Sequence, residues 1–99
     1  MKARGPITRE AAEGLAIQAL TYIAQDGERL GRFLAITGIG PAEIRSAAGQ
    51  PGFLAGVLEY LAADDRLAAA FATEAGLDPA DIARAHVALG GEPWEREVP

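Results

Sequence analysis

Cysteine is absent from this 99-residue chain, which excludes a disulfide framework and any thiolate metal site and fits a reducing compartment. Histidine occurs once, as His86, so a His-rich metal site cannot form. Serine also occurs once, as Ser46, and no nucleophile stands at a recognisable spacing from a base. Basic residues are few, nine against fourteen acidic, and the net charge of −5 disfavours phosphate backbones and anionic membrane surfaces as primary partners. No run approaches the roughly 18 uninterrupted apolar residues of a membrane span, and the basic start has no apolar stretch behind it. These absences point to a soluble, cytoplasmic protein. Calcium-loop, phosphate-loop and dinucleotide fingerprints are missing as well.

What the chain does have is self-similarity. The stretch 20–47 realigns without a gap on 58–85, a shift of 38 residues, with ten identical pairs that include Leu20 and Leu58, Tyr22 and Tyr60, Asp26 and Asp64, Phe33 and Phe71, Gly38 and Gly76, and Pro41 and Pro79. A period of this size signals one supersecondary unit used twice, each copy unable to bury its apolar face alone. Two copies are fewer than a solenoid needs, so they are expected to pack on each other about an approximate two-fold axis or to close by dimerising.

Hydrophobic spacing at three and four residues predicts an all-α domain, a compact bundle of about six short helices built from two copies of the 38-residue unit. Thr8 caps a first helix running to about Gln25, with Ala12, Leu15, Ala16, Ala19, Leu20 and Ile23 on one stripe. Asp26 caps a second helix with Leu30, Phe33, Leu34 and Thr37 inward and Gly38 as its left-handed terminator. Pro41 starts a brief third helix, with Ile44, Ala47 and Ala48 as its inner edge. Pro51 opens a fourth helix carrying the strongest stripe: Phe53, Leu54, Val57, Leu58 and Leu61. Asp64 or Asp65 caps a fifth, with Leu67, Ala70 and Phe71 inward and Gly76 as terminator. Asp78, Pro79 and Asp81 start a sixth, which buries Ile82, Ala85, His86 and Leu89. Residues 1–7 read as a flexible arm, 8–90 as a single domain and 91–99 as a mobile tail holding Trp94.

Few residues offer chemistry. Tyr22 with Asp26, and Tyr60 with Asp64, form a repeated pair at i, i+4, near enough on a helix for phenol and carboxylate to meet. Helix capping accounts for the acids, and a place at the core edge accounts for the rings. Trp94, between Pro93 and Glu95, is the large aromatic outside the expected helices, so it either folds back or docks on something else. Tyr22, Tyr60 and Trp94 are thus the interaction candidates. No catalytic residue, metal ligand or cofactor is expected.

The segment Leu34-Ala35-Ile36-Thr37-Gly38-Ile39-Gly40-Pro41 resembles the hairpin of helix-hairpin-helix DNA-binding proteins. That resemblance implies phosphate binding by the backbone of Gly38, Ile39, Gly40 and Pro41, aided by the helix that follows. The pattern departs in its second half: Ile44 stands where that family has a small residue, and Gly40 is matched in the second copy by Asp78. A longer resemblance covers most of the chain. The runs Leu15-Ala16-Ile17-Gln18-Ala19-Leu20, Glu28 through Gly38 and Pro51 through Leu58 are similar to the uncharacterised bacterial family known as domain of unknown function 3572. This likeness implies a small bacterial helical protein and transfers no functional residue.

The expectation is a non-enzymatic protein-protein interaction or regulatory module that offers a groove between its two copies, or its tail, to a protein partner or to itself as a homodimer. The alternative is nucleic-acid binding through the Gly-Ile-Gly-Pro turn.

Overall fold

The computed structural model describes residues 7–90, with Pro41 and Pro51 described by their backbone alone. Six α-helices follow one another: α1 (Arg9–Ala24), α2 (Gly27–Thr37), α3 (Ile44–Ala47), α4 (Pro51–Ala62), α5 (Asp65–Ala75) and α6 (Pro79–Ala88); a single 3-10 turn, Pro41–Glu43, leads into α3. No strand occurs among the described residues. None of the described helices is long and apolar enough to cross a membrane.

The starts of α1, α2, α5 and α6 are set by side-chain caps that the sequence supplies. The Thr8 hydroxyl accepts from the Ala11 N–H at 3.0 Å. Asp26 Oδ1 accepts from the N–H groups of Glu28 (2.9 Å) and Arg29 (3.4 Å), and Asp64 Oδ1 does the same for Arg66 and Leu67 at 3.1 Å each. Asp78 and Asp81 close a reciprocal capping box ahead of α6. These carboxylates satisfy N–H groups that the first helical turn leaves without partners. Asp26→Ala and Asp64→Ala are expected to cost about 1 kcal/mol each in urea denaturation. The two losses should add, because they touch different helices.

Gly38 and Gly76 end α2 and α5 at φ 76° and 70°, the left-handed region in which a Cβ is strained. These matched terminators let the chain reverse at the same point of each unit.

The core forms where α1, α4 and α6 pack pairwise on one another. Helix α1 contributes Ala12, Leu15, Ala16, Ala19, Leu20 and Ile23, and α4 contributes Leu54, Val57, Leu58 and Leu61. Ile82, Ala85 and His86 come from α6, with Leu89 just past its end. Three alanines on α1 are fully buried, which lets the neighbouring helices approach closely. Helix α2 leans on α1, and α5 on α4, each inserting one buried phenylalanine, Phe33 or Phe71.

Several positions differ from expectation. The third helix is α-helical only from Ile44, since Pro41–Glu43 winds as a 3-10 turn. With four residues it buries no side chain fully, although Ile44 and Ala48 pack against the core along the expected inner edge, whereas its counterpart α6 sits in the core. In α5 the inner face is completed by Ala72, and Ala70 is exposed. The stripe runs through Leu67, Ala68, Phe71 and Ala72, which turns Ala70 to solvent. Thr37 is also exposed, its hydroxyl donating to the Phe33 carbonyl at 2.9 Å in the last turn of α2. Ile7, read as part of an arm, is half-buried and packs against the core. The rest of that arm, 1–6, and the tail with Trp94, 91–99, lie outside the described residues.

Candidate functional site

The two tyrosines are placed by the ends of α1 and α4, each across from a phenylalanine of the other matched stretch. The Tyr22 ring meets Phe71 with centroids 5.6 Å apart, and the Tyr60 ring meets Phe33 edge-on at 5.1 Å. Phe53 adds a second edge contact to Phe33 at 6.1 Å. Matched residues therefore exchange partners: the tyrosine of each stretch covers the phenylalanine of the other. Tilted and edge-on pairs of this kind stabilise by about 0.5–1.5 kcal/mol beyond the area they bury.

The phenol–carboxylate contact that the i, i+4 spacing allows does not form; Asp26 and Asp64 cap helices and the two rings pack at the edge of the core, as the capping reading expects. Helix α1 stops at Ala24, so Asp26 turns away in an extended conformation and gives its carboxylate to the start of α2. Arg29 joins the two residues instead. Its Nη2 donates to the Tyr22 carbonyl at 2.9 Å, its guanidinium carbon lies 4.2 Å from the Tyr22 ring centroid, and Nη1 is 3.8 Å from Asp26 Oδ2. This arrangement is a cation–π clasp with one side open to solvent. Its counterpart position is Leu67, so the second stretch holds the equivalent junction by apolar contact.

Beside each exchanged pair lies a groove. One, of about 290 Å³, is lined by Ile17, Gln18, Thr21, Tyr22, Gln25, Phe71, Glu74 and Ala75, between α1 and α5. The other, of about 430 Å³, is lined by Arg32, Ile36, Thr37, Gly56, Glu59, Tyr60, Ala63 and Asp64, between α2 and α4. The 38-residue shift maps most of one lining onto the other: Gln18 onto Gly56, Thr21 onto Glu59, Tyr22 onto Tyr60, Gln25 onto Ala63, Ile36 onto Glu74 and Thr37 onto Ala75. Long polar side chains of the first groove are thus replaced in the second by Gly56, Ala63 and Ile36. The exchange widens the hollow and leaves its exposed lining mostly carbon. Ile36 is 66% exposed, the most of any large apolar side chain described.

Tyr22 and Tyr60 stand in different grooves, and His86 lines neither. His86 is 4% exposed on the inner face of α6. Among the described residues no group of three His, Cys, Asp or Glu could hold a metal ion.

The Gly38–Pro41 turn gives a phosphate little to bind. The Gly40 N–H donates to Glu43 Oε1 at 3.1 Å and the Ile39 N–H to the Thr37 hydroxyl at 3.4 Å. A carboxylate therefore sits on the backbone donor that a phosphate oxygen would need, and the helix that follows is four residues long. Sequence reasoning missed the Arg29 clasp and the residues that open the second groove. Two signals for that groove stand in the chain: Gly56 in the middle of an amphipathic helix, and Ile36 off the apolar stripe of α2.

A family model described as protein of unknown function (DUF3572) matches residues 9–92. No curated protein matches the chain, and no solved structure does.

Proposed function

The chain belongs to the family described as protein of unknown function (DUF3572), and since that membership carries no activity with it, we propose from the site itself that the chain is a non-enzymatic protein-protein interaction module working through the α2/α4 groove. The observation that carries this reading is Ile36, largely exposed on the rim of a hollow floored by Gly56 and Ala63. Leaving a large apolar side chain in water forgoes roughly 1.5–3 kcal/mol of burial. A partner that covers Ile36 recovers that energy at the centre of an interface, where anchors contribute most. We place it in the cytoplasm, a reading that the lack of cysteine fits.

Two features support the non-enzymatic part. The one histidine is buried away from both grooves, and Ser46 spends its hydroxyl on the Glu43 carbonyl at 3.4 Å.

The test is comparative capture. The parent chain and Ile36→Glu are immobilised side by side and exposed to lysate of the encoding organism. One reproducible protein retained by the parent and lost by the variant is the expected result. Identical captures would remove the groove from the reading. In parallel, a short DNA duplex titrated at about 50 mM salt, where phosphate contacts are strong, should give no shift. Salt-sensitive binding there would favour the turn at Gly38–Pro41.

A further inference from the structure

The α2/α4 groove holds both halves of a self-complementary contact. Ile36 projects from it, while Gly56 and Ala63 leave a hollow in it beside Tyr60. Arg32 lines it from α2 and Glu59 from α4, and the side chain of neither makes a hydrogen bond or ion pair with any described residue. Arg32 stands one turn before Ile36 on the exposed face of α2. A two-fold interface requires one patch to fit itself, with residue i meeting j and j meeting i. Here a knob, a hole, a cation and an anion all lie on the same patch.

Gly56 strengthens the case. It is exposed in the interior of α4, and a Cβ built on it would meet nothing within 4 Å. Packing within the chain therefore does not require glycine there, although glycine weakens a helix interior. Its counterpart Gln18 shows that the equivalent position of the other groove carries a long side chain. The absent side chain leaves the hollow open.

We infer that the α2/α4 groove is a self-association face: in a two-fold homodimer each copy's Ile36 enters the hollow over the partner's Gly56, and each Arg32 faces the partner's Glu59. The occupant is a second copy of this chain, because one patch supplies the apolar knob, its receptacle, one cationic side chain and one anionic one, the remaining acid of the lining, Asp64, being engaged in capping α5. This inference rests on the groove reading above and names what fills it.

Sedimentation equilibrium on the full chain tests it, across about 1 μM to 1 mM, the range in which a small interface titrates. The expected mass rises from the 10.3 kDa of one chain toward twice that value. Gly56→Gln should weaken the dimer about 100-fold by filling the hollow. The same change should hold or raise the melting temperature at micromolar concentration, where the monomer dominates, because glutamine is the better helix former. Loss of association without loss of fold separates an interface role from a structural one. Arg32→Glu alone and Glu59→Arg alone should each weaken the dimer about tenfold by setting like charges together, and the two combined should restore it.

A mass of 10.3 kDa at every concentration overturns the dimer. So does a dimer that Gly56→Gln leaves intact, or a charge reversal that fails to restore association. The capture comparison with Ile36→Glu reads the identity of a bound protein and not mass. A monomeric chain with an Ile36-dependent partner would therefore defeat the dimer and spare the groove.

Discussion

Phe33→Ala is expected to lower the free energy of unfolding by about 3–5 kcal/mol, and Phe71→Ala by a similar amount. Both rings are buried, at 0% and 2% exposure, and each lies under a tyrosine reaching across from the other matched stretch. Removing either ring loses its own burial and strips one face of that tyrosine, leaving a cavity at the seam. Phe33 should cost the more, because Phe53 also packs edge-on against it, while among the described residues Phe71 has one ring partner, Tyr22. A domain of this size holds only about 5–15 kcal/mol in all. Phe33→Ala should therefore remove a large share of that stability and move the midpoint of a urea titration to clearly lower denaturant. Near-neutral behaviour of both variants would mean that the exchanged pairs do not hold the halves together.

Leu58→Ala comes next, at about 2–5 kcal/mol in the same titration. Leu58 is fully buried in α4, the helix that packs against α1, α5 and α6 at once, so the void it leaves borders three elements and cannot be closed by moving one. Val87→Ala is the control. It trims an aliphatic side chain that is 54% exposed and should stay within about 0.5 kcal/mol of the parent. Equal losses for the two would mean that α4 is not the centre of the bundle.

Helix boundaries were legible in the chain because each is set locally. Thr8, Asp26, Asp64 and Asp78 each sit at a cap whose hydrogen bonds reach no further than the next turn, and Gly38 and Gly76 terminate by their own φ. The stripes of α1, α4 and α6 were legible for a related reason: a helix buried along one line must repeat its apolar residues at that line. Less legible was anything decided between elements. Ala72 replaced Ala70 as an inner residue because the rotation of α5 is fixed by where Phe71 meets Tyr22, a contact that periodicity within α5 does not encode. The i, i+4 spacing of Tyr22 and Asp26 would give a direct pair only in a helix that continued past Ala24, and the capping role of Asp26, legible in the chain, ends it first. Arg29, seven residues from Tyr22, closes the gap from the next helix, and no spacing rule within a single helix links them. The candidate site was half visible. Tyr60 was singled out, while Ile36, Gly56 and Glu59 acquire meaning only when α2 and α4 stand side by side.

The traded rings also bear on biosynthesis. Tyr22 is translated early and its cover, Phe71, much later, so while the chain is still threaded through the exit tunnel the first half carries an aromatic edge with nothing to close on. Phe33 waits in the same way for Tyr60, so in both pairs a late residue closes on an early one. A nascent chain wired this way cannot bank its first half and then add the second. The two halves close on each other once α5 has emerged, and a ribosome stalled in α5 would present a chain with both seams unsealed.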